Sequence, residues 1–315
     1  MKGKIWIKSY FCVLGLYFIS AYLFIIFAET SYPLRITDSI SFDEKLRFLK
    51  RTRRLIKSDA VIVGSSMGLT NLNGAALEER SEKISVISNL ASWGLQTLQL
   101  EQELQLIEGE PQIKYVIYPT QMLDYAFDKR LPLDRGAFRE IKKYINNEFT
   151  LFLYDRVLLN AFNFLKAIYN FKSYHQVENT YPSLLFDRTG GIVYRIYADK
   201  IDQKRWNDAR VFGLLEKNFA ALNRIAKKLK SENITFIVIT TPMRLPLLAA
   251  NSELSKQYKA YDQKMKKQAN GAGFQYLNLH DALLLSDAYF ADSQHLNVEG
   301  AVLVARRAAD FIDAL

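Results

Sequence analysis

Gly64-Ser65-Ser66-Met67-Gly68 follows the apolar run Ala60-Val61-Ile62-Val63. Its G-x-S-x-G spacing is that of a strand-to-helix turn that exposes a nucleophilic serine. A buried strand ending in a glycine-rich turn has the same residues, so the spacing needs a partner elsewhere. A serine hydroxyl is a weak nucleophile until a base takes its proton. The chain has three histidines, His175, His280 and His295. His295 lies three residues after Asp292, close enough for the carboxylate to hold one ring nitrogen and leave the other free as a base. His280, in Asn278-Leu279-His280-Asp281, reads as a hydrogen-bonded loop histidine, and His175 as a surface residue of a poorly patterned stretch. Nothing has the spacing of metal ligands, and Gly190-Gly191 reads as an ordinary turn rather than a phosphate loop. The residues imply no metal and no cofactor.

A serine near residue 66 and a histidine near the chain's end meet only if the fold joins them. Short apolar runs at 59–63, 84–87, 113–118, 234–239 and 274–277 read as five strands, the third stopped by Pro119. Helical patterns at 94–108, 211–231, 252–270 and 297–314 alternate with them. This alternation predicts an α/β fold, a three-layer α/β/α sandwich around a five-stranded parallel sheet. In a sheet of order 2-1-3-4-5, the loops after strands one and five lie on the same edge, which brings Ser66 and His295 to one site. Residues 124–210 break the pattern; rich in Tyr, Phe and Asn, they read as a mostly helical insertion beside the strand ends.

With these blocks in place the chain resembles the SGNH (GDSL-type) hydrolase superfamily, over roughly residues 59–123 and 232–315. The resemblance implies a flavodoxin-like sandwich with Ser66 as nucleophile, aligned through Gly64-Ser65-Ser66. It implies Asp292 and His295 as the rest of the triad, followed by Asn297-Val298-Glu299-Gly300-Ala301, which matches the family's closing tail. Asn89-Leu90-Ala91-Ser92-Trp93-Gly94 matches the second block and assigns the Gly94 backbone N–H to the oxyanion hole. The third block departs from the family. Tyr118-Pro119-Thr120-Gln121-Met122 stands where the family has Gly-x-Asn-Asp, leaving Thr120 or Gln121 as substitute donors, or the backbone N–H groups of Ser66 and Gly94 alone.

Residues 9–28 carry no charge and have the length of a membrane-spanning helix; Lys2, Lys4 and Lys8 precede them and Glu29 follows. The positive-inside rule places residues 1–8 in the cytoplasm and the main domain outside, periplasmic or extracellular. The span is longer than a signal-peptide core and lacks its small-residue cleavage pattern, so the reading is an uncleaved anchor. A linker with a basic juxtamembrane helix, 29–58, leads to the catalytic-type domain, 59–315. The single cysteine, Cys12, excludes an intrachain disulfide. A net charge of +9 favours anionic surroundings such as headgroups or an acidic polymer, while no nucleic-acid motif is present.

Anchored, outward-facing SGNH proteins resemble those that work with membrane-bound O-acyltransferases on cell-surface polymers. The resemblance therefore implies a serine O-acyl, foremost acetyl, transferase or esterase acting on an extracytoplasmic polysaccharide, with a membrane-bound acyl donor. Two other readings stay open. One is a catalytically silent polymer-binding or scaffold module, motivated by the missing third-block asparagine. The other is a lipid esterase, favoured by the tether.

Overall fold

Strands of this chain are apolar on both faces because helices cover both faces. Val61, Val63, Val116, Tyr118 and Val238 join one hydrophobic core, and Ala60, Ile62, Ile117, Ile237 and Ile239 the other. Successive residues of a strand point to opposite sides, so an unbroken Val/Ile run is what a doubly covered parallel sheet requires. The structure, a computed structural model, describes residues 2–37, 39–148, 150–175, 184–197 and 200–315. The sheet has five parallel strands in the order β2-β1-β3-β4-β5: β1 (Ala60–Ile62), β2 (Ile87–Asn89), β3 (Tyr115–Thr120), β4 (Thr235–Thr240) and β5 (Gln275–Asn278). This is the predicted sandwich and strand order.

The helices in chain order are α1 (Lys2–Glu29), α2 (Ile40–Thr52), α3 (Ser66–Thr70), α4 (Gly74–Arg80), α5 (Thr97–Glu103), α6 (Arg135–Ile145), α7 (Leu151–Leu159) and α8 (Ala161–His175). They continue with α9 (Gln203–Trp206), α10 (Glu216–Ser231), α11 (Leu245–Ala250), α12 (Ser252–Ala272), α13 (Leu279–Leu283) and α14 (Val298–Ala314). Helix α4 packs with α14 over one face, and α10 packs with α5 and α12 over the other.

Three local differences from the sequence reading have physical causes. The second strand starts at Ile87 rather than 84, because the Asp59 carboxylate accepts from the Ser85 and Val86 N–H groups before ladder pairing begins. The third strand runs through Pro119 instead of stopping before it. Ile117 O accepts from Val63 on the β1 side and Thr120 O accepts from Thr241 on the β4 side. Pro119 shares the parity of Ile117, so its missing N–H faces the place where β1 has already ended. The basic run 50–57 is not one helix. Arg53 turns left-handed (φ 49) to cap α2, and Leu55–Lys57 form a separate 3-10 turn.

The segment after the first helix packs closely onto the rest of the protein. Leu34, Ile36, Phe42, Leu46 and Leu49 are buried in the same core as Val61 and Val116. Helix α2 starts at a Ser39 side-chain cap, and Lys50 in its last turn pairs with Glu29. Residues 6–29 of α1 form a helix long and apolar enough to cross a membrane. Within the stretch read as an insertion, α6, α7 and α8 are helical. Residues 184–197 are not helical and contain one antiparallel bridge, Phe186 with Ile192. The His175 side chain and residues 176–183 lie outside the described residues.

Candidate active site

The Gly64–Gly68 turn is built by close approach. Gly64 has φ +105, and a Cβ there would stand 2.5 Å from Cε2 of buried Tyr118. A Cβ at Gly68 would stand 2.8 Å from Val63 O and 2.9 Å from the Ala91 methyl. Glycine at both ends therefore lets the chain turn tightly from β1 into α3. The Glu103 carboxylate receives the Gly64 N–H from beneath (3.0 Å). Burial pushes that carboxyl up to about 8. Nearby, buried Lys45 donates to the carbonyls of Asn89 and Gly190.

The two serines of the turn divide their tasks. Ser65 is the N-cap of α3: its hydroxyl accepts from Met67 N–H at 3.2 Å and is buried. Ser66 opens the helix half-exposed, and its Oγ lies 2.8 Å from Nε2 of His295. On the other side of the ring, Nδ1 lies 2.8 Å from Asp292 Oδ2 and 3.0 Å from Oδ1. Asp292 Oδ1 also accepts the backbone N–H groups of Gln294 (2.9 Å) and His295 (2.7 Å), so the carboxylate closes its own loop around the histidine. Burial alone would raise the Asp292 carboxyl. The His295 ring, its hydrogen bond and those two backbone donors outweigh burial and hold it below the usual carboxylate range. The Arg205 guanidinium adds positive charge 3.8 Å from Oδ2.

The segment holding Gly94 is tied to the turn, since Ser92 N–H donates to Gly64 O at 2.9 Å. Gly94 is exposed with φ +69. Among the described residues the backbone N–H groups of Ser66 and Gly94 make no hydrogen bond. Thr120 and Gln121 stand otherwise. Both are buried at the end of β3. The Thr120 hydroxyl donates to Asp124 Oδ2 at 2.9 Å, and the Gln121 amide nitrogen donates to Thr241 Oγ1, Pro242 O and Gln294 O. Their side-chain donors are committed to holding the ends of β3 and β4 and the histidine loop together. Burial pushes the Asp124 carboxyl up to about 6, against hydrogen bonding from Ser65, Gln121 and Thr120. His280 sits apart on α13, its Nδ1 accepting from Met243 N–H at 3.1 Å and its ring edge-on to Tyr258; burial lowers its pKa.

Several residues that shape the site carry no motif. Asn71, at the end of α3, grips the histidine loop on both sides of His295. Its Oδ1 accepts from Leu296 N–H (2.9 Å) and its Nδ2 donates to Gln294 O (2.8 Å). Residues 192–196 thread between α3 and this loop: Ile192 N–H donates to Leu69 O, and Val298 N–H donates to Tyr194 O. The Tyr194 ring lies edge-on to His295 with centroids 6.0 Å apart. Ile192, Tyr194 and Ile196 are buried together with Leu69, Ala91 and Ala291. Their period of two is legible in the sequence, and it marks an extended buried segment.

No protein-family model matches this chain, and neither does any curated protein. Among solved structures it is similar to an acetyl xylan esterase, AlAXEase, at 12% identity and a TM-score of 0.42, covering 81% of this chain and 98% of that one. It is also similar to a putative acylhydrolase of Bacteroides fragilis NCTC 9343 at 12% identity and a TM-score of 0.43, covering 84% and 95% respectively. Similarities of this strength carry no argument about activity.

Proposed function

We propose that this chain is a membrane-anchored, outward-facing serine O-acyltransferase or esterase acting on a cell-surface polysaccharide. One observation carries the chemistry: the unbroken hydrogen-bond line from Ser66 Oγ through the His295 ring to Asp292, each step 2.8 Å. Ser66 Oγ attacks an ester carbonyl while His295 Nε2 takes its proton, and Asp292 holds the Nδ1–H and the positive charge that forms. The uncommitted Ser66 and Gly94 N–H groups are the donors for the oxyanion. When the tetrahedral adduct collapses, the ester's alcohol departs with the proton from Nε2 and leaves an acyl group on Ser66. His295 then deprotonates the acceptor, water for an esterase or a sugar hydroxyl for a transferase, and Ser66 is released with the proton returned.

The acetyl group, the polysaccharide and a membrane-bound O-acyltransferase as donor are proposed from the SGNH resemblance together with the apolar first helix. Acetyl-CoA is not expected outside the cytoplasm, so the acyl group is to come from that membrane partner. The test is mass spectrometry of the full chain in detergent after exposure to a serine-reactive fluorophosphonate, beside Ser66→Ala and His295→Ala. A single adduct on Ser66, lost in both variants, is the expected result. The commitment of the Thr120 and Gln121 donors favours a second reading, a silent polymer-binding module. Folded protein that forms no adduct selects it.

A further inference from the structure

Helices α7 and α8 expose large apolar side chains, and α7 packs against both α8 and the apolar first helix. Leu159, Phe162 and Tyr169 are 87%, 79% and 84% exposed, and Leu151, Phe152 and Leu165 are about half exposed. These are not scattered. On α8, Phe162, Leu165 and Tyr169 follow the i, i+3, i+7 spacing of one helix face. On α7, Leu151, Phe152 and Leu159 flank Asp155 on a common face. Both helices bury their other sides, through Leu153, Tyr154, Val157 and Phe164, in the core. Apart from Asp155, which is hydrogen-bonded to Tyr22, and the exposed polar Asn163 and Lys166 beside Phe162, the large exposed side chains here are apolar, and an exposed apolar cluster of this kind marks a binding surface.

What covers it is indicated by where α7 meets α1. The Tyr22 hydroxyl donates to Asp155, and the Tyr154 hydroxyl donates to Glu29 at 2.7 Å. Residues 6–29 of α1 rise about 36 Å, slightly more than the ~30 Å hydrocarbon thickness of a bilayer. Tyr22 lies about 10 Å along the axis from Glu29, the outer end of that span. A helix touching both residues stands at the boundary between acyl chains and headgroups. The polar rim fits that depth. A cleft beside the face is lined by Arg35, Thr37, Arg156, Asn160 and Asn163. Arg156 donates to the Ile36 and Pro132 carbonyls and has no carboxylate partner among the described residues. Lys166 is exposed on α8. Aromatic rings and cations around an apolar stripe are what an in-plane interfacial helix carries.

We propose that the exposed faces of α7 and α8 form a platform that lies on the lipid of the same bilayer α1 crosses. It sinks Leu151, Phe152, Leu159, Phe162, Leu165 and Tyr169 into the outer leaflet. The platform fixes the tilt and height of the soluble domain, which a single helix would leave free. This inference rests on the reading of α1 as membrane-spanning.

The experiment uses the full chain with Cys12→Ser, reconstituted in phosphatidylcholine–phosphatidylglycerol vesicles. Single cysteines replace Phe162, Tyr169, Phe18 within α1, and Arg307, exposed on α14 over the opposite face of the sheet. Each is labelled with an environment-sensitive fluorophore and challenged with lipids spin-labelled at shallow and deep positions. The expected result is blue-shifted emission at 162 and 169, quenched several-fold more than at 307 and most by the shallow label, with position 18 quenched by the deep label. Quenching at 18 with 162 and 169 behaving like 307 overturns the platform and leaves the spanning helix standing. Loss of quenching at 18 overturns the spanning reading and the platform with it. Protection of 162 and 169 in native membranes but not in pure lipid overturns lipid as the occupant and assigns the face to a membrane protein.

Discussion

Replacing Asn71 by alanine leaves every residue of the proposed triad in place and removes one of the groups that hold its histidine loop. Asn71 makes one hydrogen bond to each neighbour of His295, at 2.9 Å to Leu296 N–H and 2.8 Å to Gln294 O. Gln294 O keeps a second donor in the Gln121 amide, but Leu296 is fully buried and its N–H is stranded. The two hydrogen bonds lost to the loop, at about 1 kcal/mol each, with the desolvation cost of an unmet buried donor, come to about 2–4 kcal/mol, a lower bound because the amide also accepts from Thr70 Oγ1 and donates to Thr241 Oγ1. In a domain of this size each kcal/mol lowers the melting temperature by about 2–4 °C. The catalytic cost is separable from the stability cost. A loop free to shift His295 Nε2 by about 1 Å from Ser66 Oγ should slow acylation by about 10²-fold. Both quantities are read on the same sample, by thermal unfolding and by the turnover of a chromogenic acetyl ester well below the melting temperature. Asn71→Asp retains the acceptor for Leu296 and loses the donor to Gln294, so it should fall between wild type and Asn71→Ala in rate. A variant that melts earlier yet turns over at the wild-type rate per folded molecule would refute the positioning argument. Asn71 would then hold the fold and nothing more.

Two further outcomes follow from the same geometry. Asp292→Asn keeps the volume but offers an amide to Nδ1 and so permits the wrong tautomer; ester turnover should drop by about 10³–10⁴-fold while the fluorophosphonate adduct still localises to Ser66, and an unchanged rate would remove Asp292 from the mechanism. Asp124 has its pKa raised by burial from 3.8 to about 6. Between those values the native chain holds more protons than the unfolded one, so this group's contribution is full below 3.8 and is lost as pH rises through about 6. Asp124→Asn should flatten that fall in denaturant titrations taken across the window, and an identical slope in both proteins would contradict the burial assignment.

Much of this arrangement follows from residue type and order alone. Doubly apolar runs such as Val61-Ile62-Val63 and Phe236-Ile237-Val238-Ile239 demand cover on both faces, and their alternation with helical patterns leaves few topologies. The order β2-β1-β3-β4-β5 then brings the ends of the chain to one edge of the sheet, which is why Ser66 and the Asp292–His295 pair could be picked out as one site 229 residues apart. Asp292 and His295 are coupled by their spacing of three, a local relation that any compact turn preserves.

Other features depend on which element lies against which. Residues 33–49 look like a polar link because Asp43, Glu44, Lys45 and Arg47 dilute the apolar positions, yet all four charged side chains are buried. Asp43 is paired with Arg35 and Glu44 with Arg47, while Lys45 reaches the carbonyls of Asn89 and Gly190. Sequence shows charge, and only tertiary contact shows that the charge has a partner. The same holds for Thr120 and Gln121. Their types suit an oxyanion hole, but the approach of Asp124, Thr241 and the histidine loop gives their donors other acceptors. Composition and order thus determined the sheet, the apolar first helix and the chemistry within reach. The tertiary structure decided that the side-chain donors of Thr120 and Gln121 are already committed, because a hydrogen bond once made inside the fold is no longer available to a substrate.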